Sequence, residues 1–432
     1  MMLHILEPQF IGSLFVAVAI LSFSVLLMLR YRNLFAILLL GFSIVAIFIV
    51  IFNYFINFIP QPRDAIERFI PWAMATVDNW KKGFVLQTLS LLDAKGIPAY
   101  TLFLAILFYF FDKSIIIASL FSTIFGLLCI YQLYQLSKEI YDIQTANLSA
   151  ALLVFSPFFI YVSTVILRET ITLFFLLWFF RLWFLNMRQP ANKYRYLMLF
   201  SLVYMGLLRP LMLLVLIISI TIDKTILTYK RNIVFKMTMI GMVILIFLSG
   251  IMYIESNPSL LNYRIFKGLA YSKIEAIQDR MEQSADAQSS YAPNVNFNSY
   301  KDIIKNMPIL VIYFLGSPFP WQIKKFHQAL ALTDSAVLWF IYIIFFIEIK
   351  NFIKTKNKNI GLILVYLLIG ICGSAVIQGN IAAAQRHRLI FTVVMLPFAA
   401  HRIGIWLSGK KAFKTPAILK QIPAVSRRIS PI

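Results

Sequence analysis

Apolar runs of about 20 residues recur along almost the whole chain, separated by short turns rich in Arg and Lys. A helix needs about 20 apolar residues to cross a ~30 Å hydrocarbon core. The runs are too long and continuous for the alternating strands of a membrane barrel. They predict crossings at 10–29, 34–56, 114–136, 147–165, 169–186, 196–208, 210–222, 233–253, 331–349, 359–377 and 388–408. Two further apolar pieces, 97–111 and 306–315, are too short to cross and are expected as re-entrant or interfacial helices. The expected fold is an all-α polytopic transmembrane bundle of about 11 crossings, one integral membrane domain over 1–432 with no internal repeat.

Charge sets the expected orientation. The turns at 30–33, 187–195, 223–236 and 350–358 and the tail 409–432 are basic. All fall on one side if the N-terminus is outside and the C-terminus is in the cytoplasm. Segments 57–97 and 254–330 then face outward. The start "MMLHILEPQF" lacks a basic flank of the kind a cleaved signal carries, so none is expected.

Composition agrees with a membrane chain: 60% of residues are hydrophobic and 13% charged, against roughly a quarter charged in soluble domains, and mean hydropathy is +0.80. Cys129 and Cys372 both lie in apolar runs and predict neither a disulfide framework nor a metal site. The net charge of +22 is expected to serve membrane lipids and phosphate-bearing substrates, not nucleic acid.

Charges at membrane depth are costly unless paired or wet, and mark a functional site by default. Arg168 and Glu169 stand together between two apolar runs, in "STVILRETITLFF". Arg209 stands in "GLLRPLMLL", where Pro210 breaks the helical ladder. Both turns should lie in a recess below the outer surface, with Glu169 orienting Arg168 and no neighbouring acid for Arg209. In "FIPQPRDAIERFIPWA" (58–73), Asp64 and Arg68 share a helix face, as do Asp64 and Glu67. A carboxylate at the exit of a crossing suits a general base or a metal ligand; an amphipathic helix on the headgroups is the plainer use. Arg386, His387 and Arg388 reach the outer boundary together and could clamp a pyrophosphate. Trp321, in "GSPFPWQIKKFHQ", suits the face of a sugar or an interface belt.

The order of "PRDAIERFIPWA", residues 142–178, "LLRP" and "AAAQRHRLIFTVVMLPF" resembles the GT-C superfamily of membrane glycosyltransferases and the related O-antigen polymerases of bacterial surface polysaccharides. The resemblance implies a GT-C-like bundle in the bacterial cytoplasmic (inner) membrane. It implies a polyprenyl-phosphate or -pyrophosphate sugar or glycan donor, with Asp64 matching the family's acidic residue in the first outer loop. An extra crossing before that loop and the lack of a large C-terminal outer domain depart from the pattern, so single-sugar transfer and joining of repeat units both remain open. Asp64 is expected as base with Glu67 nearby. Arg386, His387 and Arg388 are expected on the (pyro)phosphate, with Arg168 or Arg209 helping. Mg2+ or Mn2+ is left open, with Glu67 as the one second carboxylate. A flippase or exporter of lipid-linked glycans is the rival class; it would need pseudo-symmetric halves that the sequence does not show. The polar stretch 284–298 is expected to lie over Asp64 and Arg386 as a lid, with Trp321 facing the sugar.

Overall fold

The computed structural model describes residues 8–59, 61–84, 99–224, 299–323, 326–354, 360–378 and 380–409. The expected crossing at 233–253, the expected lid 284–298 and the tail past 409 lie outside the described residues.

Fourteen α-helices form among them, and no strand. They are α1 (Pro8–Tyr31), α2 (Leu34–Ile56), α3 (Ile70–Lys81), α4 (Ala99–Phe110), α5 (Ile115–Ile140), α6 (Ile143–Val154), α7 (Pro157–Thr164), α8 (Glu169–Arg188), α9 (Asn192–Leu208), α10 (Pro210–Ile222), α11 (Tyr300–Gly316), α12 (Phe326–Lys354), α13 (Gly361–Ile377) and α14 (Ile381–Leu407). Starts are fixed by side-chain caps. Asn33 accepts from Ala36 N at 2.9 Å, Asp142 from Thr145 N at 2.7 Å and Asn380 from Ala382 N at 2.9 Å.

Among the described residues, six helical stretches are long and apolar enough to cross a membrane: Phe10–Tyr31, Leu34–Ile56, Ile115–Ile140, Glu169–Arg188, Leu332–Asn351 and Ile381–Leu407. The chain is thus an all-α polytopic membrane protein. The run 147–165, expected as one helix, is two: α6 and α7 meet at 67°. Ser156 ends the first path and caps the second, accepting from Phe159 N, and Pro157 takes the first helical position, where its missing N–H costs nothing. The other expected crossings fall on α9, α10 and α13. Residues 99–110 form the short helix α4, and the piece 306–315 belongs to the longer α11.

One core unites α2 and α4–α14 with residues of the 65–77 segment, while α1 packs on α2 and α5 at the periphery. Large apolar side chains such as Phe15, Phe23, Phe48 and Phe346 stand exposed, as a lipid-facing surface requires. Close approach of α5 to α7 depends on Gly126, where a Cβ would stand 2.7 Å from Ser163 Oγ. Thr123 Oγ1 donates to Ser163 O across the same contact.

The charged residues are carried to two ends of the bundle. At one end lie the exit of α2, the α7–α8 turn, the α9–α10 break and the start of α14. At the opposite end Tyr141 stacks on His401, which pairs with Glu348, and Arg188 pairs with Glu139.

Candidate active site

The site is built on chain breaks. After α2, Asn57 turns the chain in the left-handed region (φ 49°), a conformation Asn tolerates better than most residues. Asn53 Nδ2 then holds Ile59 O at 2.8 Å. Gln61 Oε1 accepts from Ile166 N at 2.9 Å and so ties this connection to the α7–α8 turn. Asp64 follows, just before a single π-helical turn, Ala65–Phe69, that runs into α3. Such turns widen the helix and occur often at functional sites.

Asp64 reaches across to the start of α14, where Arg386 Nη1 donates to its Oδ2 at 2.7 Å. Burial pushes the Asp64 carboxyl up, but the charge and hydrogen bond of Arg386, with the charges of Arg168 and Arg68, hold it below the usual carboxylate range. The expected face-sharing of Asp64 and Arg68 gives no pair. Arg63 pairs with Glu67 instead, Nε to Oε1 at 3.1 Å, on the exposed side of the turn.

Behind Asp64 lies a buried second pair. Glu169, the first residue of α8, accepts from Arg209 Nη2, and the two side chains are 4% and 6% exposed. Glu169 was expected to orient Arg168. It pairs instead with Arg209, because the α9–α10 break brings that guanidinium beside the start of α8. Arg168 donates to Leu208 O at 3.2 Å and lies over the Phe69 ring at 6.0 Å. Arg209 Nη1 also stands 3.2 Å from His387 Nε2, with Gln378 Nε2 3.5 Å from the same nitrogen. Glu169 Oε2 and Arg209 Nε are buried with no hydrogen-bond partner among the described residues. Three guanidiniums, Arg168, Arg209 and Arg386, thus surround two carboxylates, Asp64 and Glu169, leaving a positive balance suited to an anion.

Arg388 does not join them. It is 1% exposed and donates to Leu315 O at 3.0 Å, to Ser317 O and to Ser335 Oγ at 2.9 Å, with Asp334 at 3.8 Å. Residues two apart on a helix project about 200° from one another, so Arg386 and Arg388 cannot clamp one phosphate from the same face. Trp321 stacks on Phe319 at 4.8 Å, and Phe319 stacks on Trp339. The Asp64 donor set does not fit a divalent cation: Asp64 and Glu67 each face a guanidinium, and no group of three His, Cys, Asp or Glu occurs among the described residues.

The sequence reading missed Gln61, Gln378 and Asp334. Asp334, in "LTDSAVLWF", pairs with Arg388 and accepts from Ser156 Oγ at 3.2 Å. Its signal was present, since a lone acid in an apolar helix demands a partner.

Residues 95–254 match the family model for dolichyl-phosphate-mannose-protein mannosyltransferase. The matched stretch holds Arg168, Glu169 and Arg209, while Asp64 and Arg386 lie on either side of it. No curated protein matches the chain. Over 95–254, therefore, the chain is similar to a GT-C-type family of membrane glycosyltransferases.

Proposed function

We propose that the protein transfers a sugar, or a whole glycan repeat unit, from a polyprenyl-(pyro)phosphate carrier to a hydroxyl acceptor. The reaction takes place at the outer face of the bacterial cytoplasmic membrane, in assembly of a surface polysaccharide such as O-antigen or capsule. The observation that carries this reading is the Asp64–Arg386 pair, which sets a carboxylate against a positively balanced, partly buried cluster.

Asp64 accepts the acceptor proton as the acceptor oxygen attacks the anomeric carbon. The bond from that carbon to the phosphate oxygen breaks, with inversion, and the electron pair leaves on the phosphate. Arg386 and Arg209, with Arg168 and His387, hold the growing negative charge. Paired with Asp64, Arg386 lowers the basicity of that carboxylate. When Arg386 turns towards the donor phosphate, that restraint weakens and Asp64 becomes the stronger base where it is needed.

The opposite end, where Tyr141, Glu348 and His401 tie α5, α12 and α14 together, supports a site served from one face rather than the passage a flippase requires. The test is incubation of the purified full chain with polyprenyl-linked sugars and glycans, following release of the polyprenyl (pyro)phosphate. Release that depends on an acceptor supports transfer; transport of the intact lipid-linked glycan across vesicles without release would replace it with the exporter reading.

A further inference from the structure

A cavity of about 340 Å³ lies between the α6–α7 break, α12 and α14, apart from the Asp64 cluster. Its walls include Leu148, Leu152, Leu338, Ile341, Val393 and Leu396. From Gln385 to Leu396 it follows α14 for about 16 Å at the helical rise. Phe155 and Val337 form part of its rim and are exposed on the apolar perimeter, so it can be entered from the bilayer.

One end is polar, and its polar groups differ in what they still need. Arg388 is already engaged by two backbone carbonyls, Ser335 and Asp334. Asp334 also receives the Ser156 hydroxyl. Gln385, 7% exposed, lines the same end, and its Nε2 is buried with no hydrogen-bond partner among the described residues. An unmade buried donor is unfavourable, and a ligand that supplies an acceptor removes the cost.

We propose that this cavity binds the ester-linked acyl chain of a membrane glycerolipid, with the ester carbonyl accepting from Gln385 Nε2 and the chain running towards Leu396. The acceptor has to be neutral. The Asp334 carboxylate lines the same end and repels a phosphate or a free fatty acid, and the neighbouring guanidinium directs both Nη groups to two backbone carbonyls, Ser335 and Asp334. The isoprenoid tail of a donor is the competing occupant, because most of the cavity lining is apolar. A hydrocarbon tail offers Gln385 no acceptor, whereas an ester does. The inference does not depend on the sugar-transfer reading.

The test uses the full chain purified in detergent and native mass spectrometry with dioleoyl phosphatidylglycerol, its ether-linked dialkyl analogue and polyprenyl phosphate. One diacyl lipid retained per chain is expected, with the ester form favoured about fivefold over the ether, the scale of one hydrogen bond. Gln385→Leu should bind both forms alike, and Ala151→Trp, which fills the cavity, should retain neither. Equal retention of ester and ether by the unaltered chain would overturn the proposal. So would one-for-one displacement of the diacyl lipid by polyprenyl phosphate, which would give the cavity to the donor tail. The comparison on the unaltered chain decides even where Ala151→Trp fails to fold.

Discussion

Removing one partner of the Glu169–Arg209 pair should destabilise the protein far more than removing both. The two side chains are 4% and 6% exposed, so neither charge is rescued by water. Glu169→Leu leaves a buried guanidinium with the His387 nitrogen near its Nη1, and Arg209→Met leaves a buried carboxylate. Breaking a buried pair in this way costs about 3–5 kcal/mol, or roughly 150- to 5,000-fold in the folding equilibrium. The double variant removes both charges and, by the same principle, should lie near or above the parent in stability. Transfer activity should be absent from the two variants that lack Arg209, because Arg209 is placed on the leaving phosphate. Chemical unfolding of the purified chains in one detergent, alongside donor turnover, measures both quantities. A Glu169→Leu variant within ~0.5 kcal/mol of the parent would show that the pair is not buried in operation. An active double variant would make it a structural pair alone.

The remaining predictions separate neighbouring residues by role. Arg386→Leu should lower turnover strongly while shifting stability by less than ~1 kcal/mol, since its pair with Asp64 is partly exposed; Arg388→Leu should cost about 3–5 kcal/mol by stranding buried Asp334. Unfolding and turnover measured on both variants check the contrast. Asp64 has a folded-state pKa below its unfolded value, so its stabilising contribution is present above the ordinary carboxylate range and is lost as pH falls through the lowered value. In Arg386→Gln, burial remains while the largest lowering cause is gone. The acid limb of kcat/KM measured on residual activity should therefore move to higher pH. Gly126→Val should destabilise the protein by about 1–3 kcal/mol through overpacking against Ser163, seen as a lower unfolding midpoint.

The helices were legible because hydropathy over 20 residues reports membrane crossing directly. The break at Ser156–Pro157 was equally legible as a cap followed by a first-turn proline, yet the unbroken apolar pattern around it masked the signal. Asp64, Arg168, Glu169, Arg209, Arg386 and His387 could be picked out one by one as charges in apolar surroundings, and they converge in space. Their pairing was not legible. Glu169 chooses Arg209, 40 residues away, over its sequence neighbour, and Asp64 meets Arg386, 322 residues away. Such partners are set by tertiary packing of broken helices. The separation of Arg386 from Arg388 needed only the helical period, once α14 was known to begin at Ile381 rather than at residue 388.

Sugar transfer as proposed requires Asp64 to take the acceptor proton. The most direct measurement is single-turnover release of polyprenyl phosphate from a labelled lipid-linked sugar, with acceptor present, by the parent chain and by Asp64→Asn. A loss of at least ~10²-fold in the chemical step is expected, with donor still bound by the variant because the proposed Arg209 and Arg386 contacts to phosphate remain. An Asp64→Asn enzyme that releases carrier at the parental rate would contradict it.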